Sequence, residues 1–171
     1  PRDNVDSFSA GYRNLPSLAA DLRRWAAPAF PSGGQPVQVQ KSLGLVPEVQ
    51  MTSIRAMAGL VQNADLYDFV VDRDTLRHVV NRHTDPATEL SRGQRPVVAG
   101  DFGRLGQLLN APDAMMPGAA IPRRGPIVRF EKLFDQERQV ALFEVRPGRR
   151  RLSLVTMWVE VIAGASPTAT P

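Results

Sequence analysis

The sequence contains no cysteine, which excludes a disulfide scaffold, a thiolate metal site and a cysteine nucleophile, and leaves the redox compartment open. Histidine is nearly as scarce: His78 and His83 are the only two. Lysine is confined to Lys41 and Lys132, so 19 of the 21 cationic residues are arginine. No apolar run approaches the ~18 residues that a membrane span needs, and an integral helical membrane protein is therefore not expected. The chain starts at Pro1 with no basic-then-apolar leader behind it, so it is expected to be part of a longer polypeptide or a processed product.

What is present suits a packed domain. The chain has 171 residues, 43% of them hydrophobic and 22% charged, which allows one ordinary core and argues against wholesale disorder. The charge is uneven. Residues 1–120 hold twelve cations and twelve acids, whereas residues 121–151 hold nine cations against Glu131, Asp135, Glu137 and Glu144. The net charge of +4 therefore arises from about thirty residues, as a polyanion-binding surface requires. A solvated basic hairpin accounts for the same pattern.

Along the chain, Leu15, Leu18, Leu22 and Trp25 fall at helical spacing, and Pro28, Pro31, Gly33, Gly34 and Pro36 then break the pattern. Residues 1–35 are thus expected to be a lead-in helix and linker, 36–163 the domain, and 164–171 a disordered tail. PVQVQ alternates like an opening strand, and Ile54, Met57, Ala58 and Val61 suggest a short helix. LYDFVV at 66–71 reads as a strand, and a helix capped by Asp72 or Asp74 follows through Leu76, Val79, Val80 and His83. Residues 85–98 and 111–126 are expected to be loops, on either side of a helix capped by Asp101 with Phe102, Leu105, Leu108 and Leu109 on one face. From 127 the period changes to two, giving a three-stranded antiparallel meander over 127–134, 139–146 and 150–162. Helices first and meander last predict an α+β fold, with N-terminal helices packed on a C-terminal antiparallel sheet.

Chemistry concentrates in two places. RHVVNRH at 77–83 puts His78 and Arg82 on one helix face, while His83 shares a stripe with Leu76, Val79 and Val80 and so points toward the sheet. The bland alternative is a half-buried structural His83 and a surface His78. A zinc site is not expected, because the five-residue spacing separates the imidazoles and no third ligand follows. Strict alternation along the last strand places Leu152, Leu154, Thr156, Trp158 and Glu160 on one face. Glu144 and Arg146 are same-face neighbours whose plain role is an ion pair worth under about 1 kcal/mol.

Several motifs fall away. Asp101-Phe102-Gly103 lacks the other kinase signatures, Gly103-x-x-Gly106 follows no strand, and GxSxG is missing. A helix bearing histidine, an arginine-rich sheet, sheet hydroxyls and no cofactor motif fit metal-independent RNA cleavage. There the 2′-OH attacks phosphorus, imidazoles move the protons, and arginine forks hold the phosphoryl oxygens.

The RH at 82–83 that closes the histidine-bearing helix, DFxxLxxLLNxPD at 101–113, RFEK, and the final LSLVTMWVEV together resemble the phage-associated toxin domains of the barnase–EndoU–colicin–RelE-like superfamily. The likeness covers about 36–163. It implies an RNase fold and activity, with tRNA the foremost substrate, a 2′,3′-cyclic phosphate product and no cofactor. By position it implies His83, His78, Arg82, Arg146 and Thr156 as the catalytic set, with Lys132, Glu144, Arg149, Arg150 and Arg151 on the RNA. It further implies an acidic immunity protein over residues 121–151, and a secreted or phage-delivered effector acting in the target-cell cytoplasm. The few aromatics, 6%, favour a folded RNA contacted through its backbone. The rival expectation is a non-catalytic phage-structural or nucleic-acid-binding module of the same fold. ADP-ribosyl transfer is disfavoured, because Glu160 lacks the second acid of an ExE pair.

Overall fold

The computed structural model describes residues 15–31 and 33–162, and the expected tail at 164–171 lies outside them. The fold is α+β. The first helix, α1 (Leu15–Ala26), buries Leu18, Leu22 and Trp25, the side its apolar spacing defines. These residues belong to the same core as Phe130 and Phe143 of the sheet. Trp25 Nε1 donates to the Gln38 carbonyl at 2.9 Å, fastening α1 to the segment before the first strand. The expected boundary near residue 35 therefore does not separate two cores.

The first strand, β1 (Gln40–Leu45), starts later than the PVQVQ alternation suggests, with Val37 and Val39 exposed ahead of it. Helix α2 (Glu48–Ala58) ends at Gly59, whose φ of 66° is the left-handed geometry that glycine adopts at no steric cost. Val61, expected on this helix, lies beyond that stop and is exposed. Strand β2 (Asp68–Asp72) leads directly into α3 (Arg73–His83), and Asp72 caps it by accepting the Thr75 N–H at 2.7 Å. Leu76 and Val79 of α3 enter the core.

Both expected loops contain structure. Helix α4 (Pro86–Ser91), capped by Asp85, and the two-residue strand β3 (Gln94–Arg95) occupy the first. Strand β4 (Ala114–Pro117) lies in the second. Between them the single expected helix is broken at Arg104 into α5 (Ala99–Gly103) and α6 (Leu105–Asn110). Asp101 sits one turn inside α5 rather than at its cap, and its carboxylate reaches back to the Val98 N–H at 2.8 Å.

The meander is β5 (Ile127–Phe134), β6 (Glu137–Arg146) and β7 (Arg151–Val161), antiparallel as expected. It forms the middle of a seven-stranded sheet ordered β1-β2-β7-β6-β5-β4. That sheet is mixed rather than antiparallel, because β2 runs parallel to β7. Phe69, Phe130 and Phe143 meet edge to face with centroids 5.3–5.7 Å apart at the centre of the core. Full burial of each such ring contributes about 1.5–3 kcal/mol.

Two features of β7 position the site. Its outer edge is shared: residues 151–153 pair with β2 and 159–160 pair with β3. In the stretch between these ladders α3 meets the strand, where Thr75 Oγ1 donates to the Leu154 carbonyl at 3.0 Å. Opposite β6 the register slips, with Leu142 facing Thr156 and Phe143 facing Leu154, so Val155 is an extra, bulged residue. The bulge overturns the strict alternation expected along this strand. Leu152, Leu154 and Met157 all enter the core, while Thr156 and Trp158 are left half-buried on the other face.

The segment from α4 to β3 is anchored by Arg95, which donates to Asp101 Oδ1 and Oδ2, both at 2.8 Å, and to Glu137 Oε2, also at 2.8 Å. Those hydrogen bonds, against the cost of burial and helped by Arg104, hold the Glu137 carboxyl down to about 2. They also raise Arg95 above the usual arginine value.

Candidate active site

The last residue of α3, His83, projects toward the bulged part of β7, and its Nε2 lies 3.3 Å from Thr156 Oγ1. Its Nδ1 lies 3.1 Å from Oε2 of Glu89, which is fully buried on α4. The other Glu89 oxygen accepts from Arg92 at 2.9 Å. The Val97 N–H closes the segment onto the His83 carbonyl at 2.6 Å. The imidazole is thus held along one line, Glu89–His83–Thr156, in the manner of a base oriented by a carboxylate.

The ring also stacks on Trp158, at 6.4 Å between centroids and 26° between planes. Arg129 covers that indole at 5.3 Å, and the indole N–H donates to Glu160 at 3.0 Å. Trp158 thus backs the His83 ring while keeping a half-buried place at the cavity wall.

A cavity of about 400 Å³ opens beside this group, lined by His78, Arg82, His83, Arg92, Gln94, Thr156 and Trp158. The guanidiniums of Arg82 and Arg92, set against the single buried carboxylate of Glu89, leave an excess of positive charge at the wall, which suits an anion. His78 is exposed, and its pKa is lowered, first by partial burial and then by Arg82, His83 and Arg124. A lowered value keeps His78 neutral further into the acid range than an isolated imidazole. Among the described residues no group of three or more His, Asp or Glu is placed to hold a metal ion.

The structure thus brings together four residues of the expected set: His78, Arg82, His83 and Thr156. Arg146 does not join them. It donates twice to Glu144 Oε2, at 2.9 and 2.8 Å, which is the same-face ion pair that strand geometry suggests. Glu144 also takes Arg124 at 3.0 Å and the Gly125 N–H at 2.9 Å. Burial works to raise the Glu144 carboxyl, but these donors outweigh it and the net shift is downward.

Lys132 is remote from the cavity, donating to the Ala111 carbonyl at 2.6 Å. Arg150 lies 3.5 Å from Asp65, Arg151 donates to Gln40, and Arg149 belongs to the turn before β7. None of the three lines the cavity. The basic stretch 121–151 is interlaced with acids, for Arg129 and Arg138 both lie against Glu131 and Glu160.

Sequence reasoning missed Glu89, Arg92 and Gln94, all inside the expected loop 85–98. A signal for α4 existed: Asp85 at the cap, Pro86 at the first helical position and Glu89 in the first turn.

The fold and site define an α+β protein carrying a carboxylate-oriented histidine at an arginine-lined cavity. No family model, no curated protein and no solved structure matches the chain. No described helix is long and apolar enough to cross a membrane.

Proposed function

We propose that this domain is a metal-independent ribonuclease that cleaves RNA by attack of the 2′-OH on the adjacent phosphorus, leaving a 2′,3′-cyclic phosphate. The observation that carries the reading is His83, held by buried Glu89 and facing a cavity shared with a second histidine and two arginines. Glu89 accepts from Nδ1–H, so the unprotonated nitrogen is Nε2, beside Thr156 Oγ1, and it takes the 2′-OH proton. His78 acts from its imidazolium form, which its lowered pKa makes a stronger acid than an isolated imidazolium, and gives its own proton to the departing 5′-oxygen. Arg82 and Arg92 stabilise the extra charge on the phosphoryl oxygens as the 2′-oxygen attacks. Thr156 Oγ1 holds the attacking ribose or a phosphoryl oxygen beside Nε2.

The larger setting belongs to the same proposal. The domain acts as a toxin on tRNA and is restrained in the producing cell by an acidic protein partner.

The test is a short RNA beside its counterpart with a single 2′-O-methyl at the scissile position, both in excess EDTA. Cleavage of the RNA alone, ending in a cyclic phosphate, is expected. Equal cleavage of both, or a product with a plain 3′-hydroxyl, would overturn 2′-OH attack. Binding of the RNA without turnover would favour a non-catalytic nucleic-acid module.

A further inference from the structure

His78 borders two cavities: the one it shares with His83, and a second of about 190 Å³ at the start of α3. We propose that this second cavity receives the leaving nucleoside of the cleaved RNA, with Asp72 and Arg124 binding its base. The inference rests on the ribonuclease reading above.

The placement follows from the direction of the reaction. In an in-line displacement the attacking and leaving oxygens lie on opposite sides of phosphorus. As the bond from the 2′-oxygen to phosphorus forms, the 2′-OH proton passes to His83 Nε2. As the bond from phosphorus to O5′ breaks, the His78 imidazolium protonates O5′. The attacking ribose therefore belongs beside His83, in the larger cavity. The leaving nucleoside belongs beyond His78.

The walls of the second cavity suit a base rather than another phosphate. Asp72 and Asp74 share it with Arg124 and Arg146. A phosphate there would meet two carboxylates along with the guanidiniums. A nucleobase is neutral and carries donors and acceptors along one edge, so it can satisfy both kinds of group.

The partners already present leave capacity on each side. Asp72 uses Oδ1 for the Thr75 N–H, and Oδ2 remains as an acceptor. Arg124 engages Glu144 through one terminal nitrogen, which leaves further N–H donors. The bulged Val155 supplies the apolar part of the wall, while the Leu154 side chain turns into the core. The bulge that turns Thr156 toward His83 thus also shapes the neighbouring cavity.

The test compares two substrates. One is a set of dinucleoside monophosphates differing in the leaving nucleoside. The other is a nucleoside 3′-(4-nitrophenyl phosphate), whose leaving group carries no nucleoside and departs without a proton. The wild type is expected to cleave both, with kcat/KM on the first set varying with the leaving base.

In Asp72→Asn, which keeps a good helix cap, and in Arg124→Gln, the ratio of dinucleoside to nitrophenyl kcat/KM is expected to fall about tenfold. The spread among leaving bases narrows at the same time. Because the ratio is internal to each protein, a partly misfolded variant does not mimic this result. If both substrates are cleaved and the ratio stays within about twofold in both variants, the assignment of the second cavity is wrong while the ribonuclease reading stands. If the wild type cleaves neither substrate, the reading falls and the inference falls with it.

Discussion

Replacing Glu89 with glutamine is expected to leave the protein folded and to lower kcat for RNA cleavage by about 10²–10³-fold, with little change in KM. Glutamine keeps the volume of a fully buried side chain, so packing around α4 is preserved. The chemistry changes at Nδ1, 3.1 Å away. A carboxylate there accepts only, which fixes the proton on Nδ1 and leaves Nε2 free toward Thr156 and the cavity. An amide can turn its NH2 toward Nδ1 instead. The favoured tautomer then carries its proton on Nε2, where a base has to be empty. The negative charge that balances the imidazolium during turnover is lost as well. Steady-state kinetics, with the imidazole nitrogen resonances of His83 as a structural readout, check the expectation. A kcat within about twofold of wild type would reduce Glu89 to a packing residue.

The second large effect is on stability. Arg95→Ala is expected to cost about 3 kcal/mol, read as the shift in urea denaturation at neutral pH. Arg95 gives two hydrogen bonds to Asp101, which is almost fully buried, and two to Glu137. Its removal leaves the Asp101 carboxylate with the Val98 N–H and a distant Arg104 at 3.6 Å. The damage extends to the cavity, because Gln94 is the adjacent residue on β3 and Arg92 lies two residues before it.

The deficit also depends on pH. The folded Glu137 carboxyl is held at about 2 against an ordinary 4.5, so its contribution is present above about 4.5 and is lost as pH falls toward 2. The gap between wild type and Arg95→Ala should narrow over that window. A gap below about 1 kcal/mol at neutral pH, or one that widens on acidification, would contradict this role for Arg95.

The legible parts of the fold are those where local periodicity and burial agree. Helix α3 shows its cap, its apolar stripe and its stop in the sequence, and the meander shows its period of two and its turns. The parallel pairing of β2 with β7 left no such trace, since it joins residues some eighty positions apart through backbone groups alone. Strand β3 has only two residues, too few for any period to appear. The bulge at Val155 is harder still. Period-two geometry along LSLVTMW puts Leu154 and Met157 on opposite faces, yet the slip opposite Leu142 and Phe143 sends both into the core.

For the site, the helix positions of His78, Arg82 and His83 are legible in the sequence, as is Thr156, though on a face whose other members the bulge rearranges. Glu89 was not visible as a partner. Its burial against His83 depends on α4 folding back after Thr84, Asp85 and Pro86, a tertiary event that the sequence pattern does not encode. Arg146 and Glu144 show the converse. Both looked chemically apt, and both are largely engaged with each other.

The most direct test of the central claim is cleavage of total bacterial RNA, tRNA included, by wild type and His83→Ala in excess EDTA. Discrete fragments from the wild type that disappear in His83→Ala are expected. Cleavage by His83→Ala at the wild-type rate, or activity in the wild type that EDTA abolishes, would contradict a metal-independent ribonuclease built on this histidine.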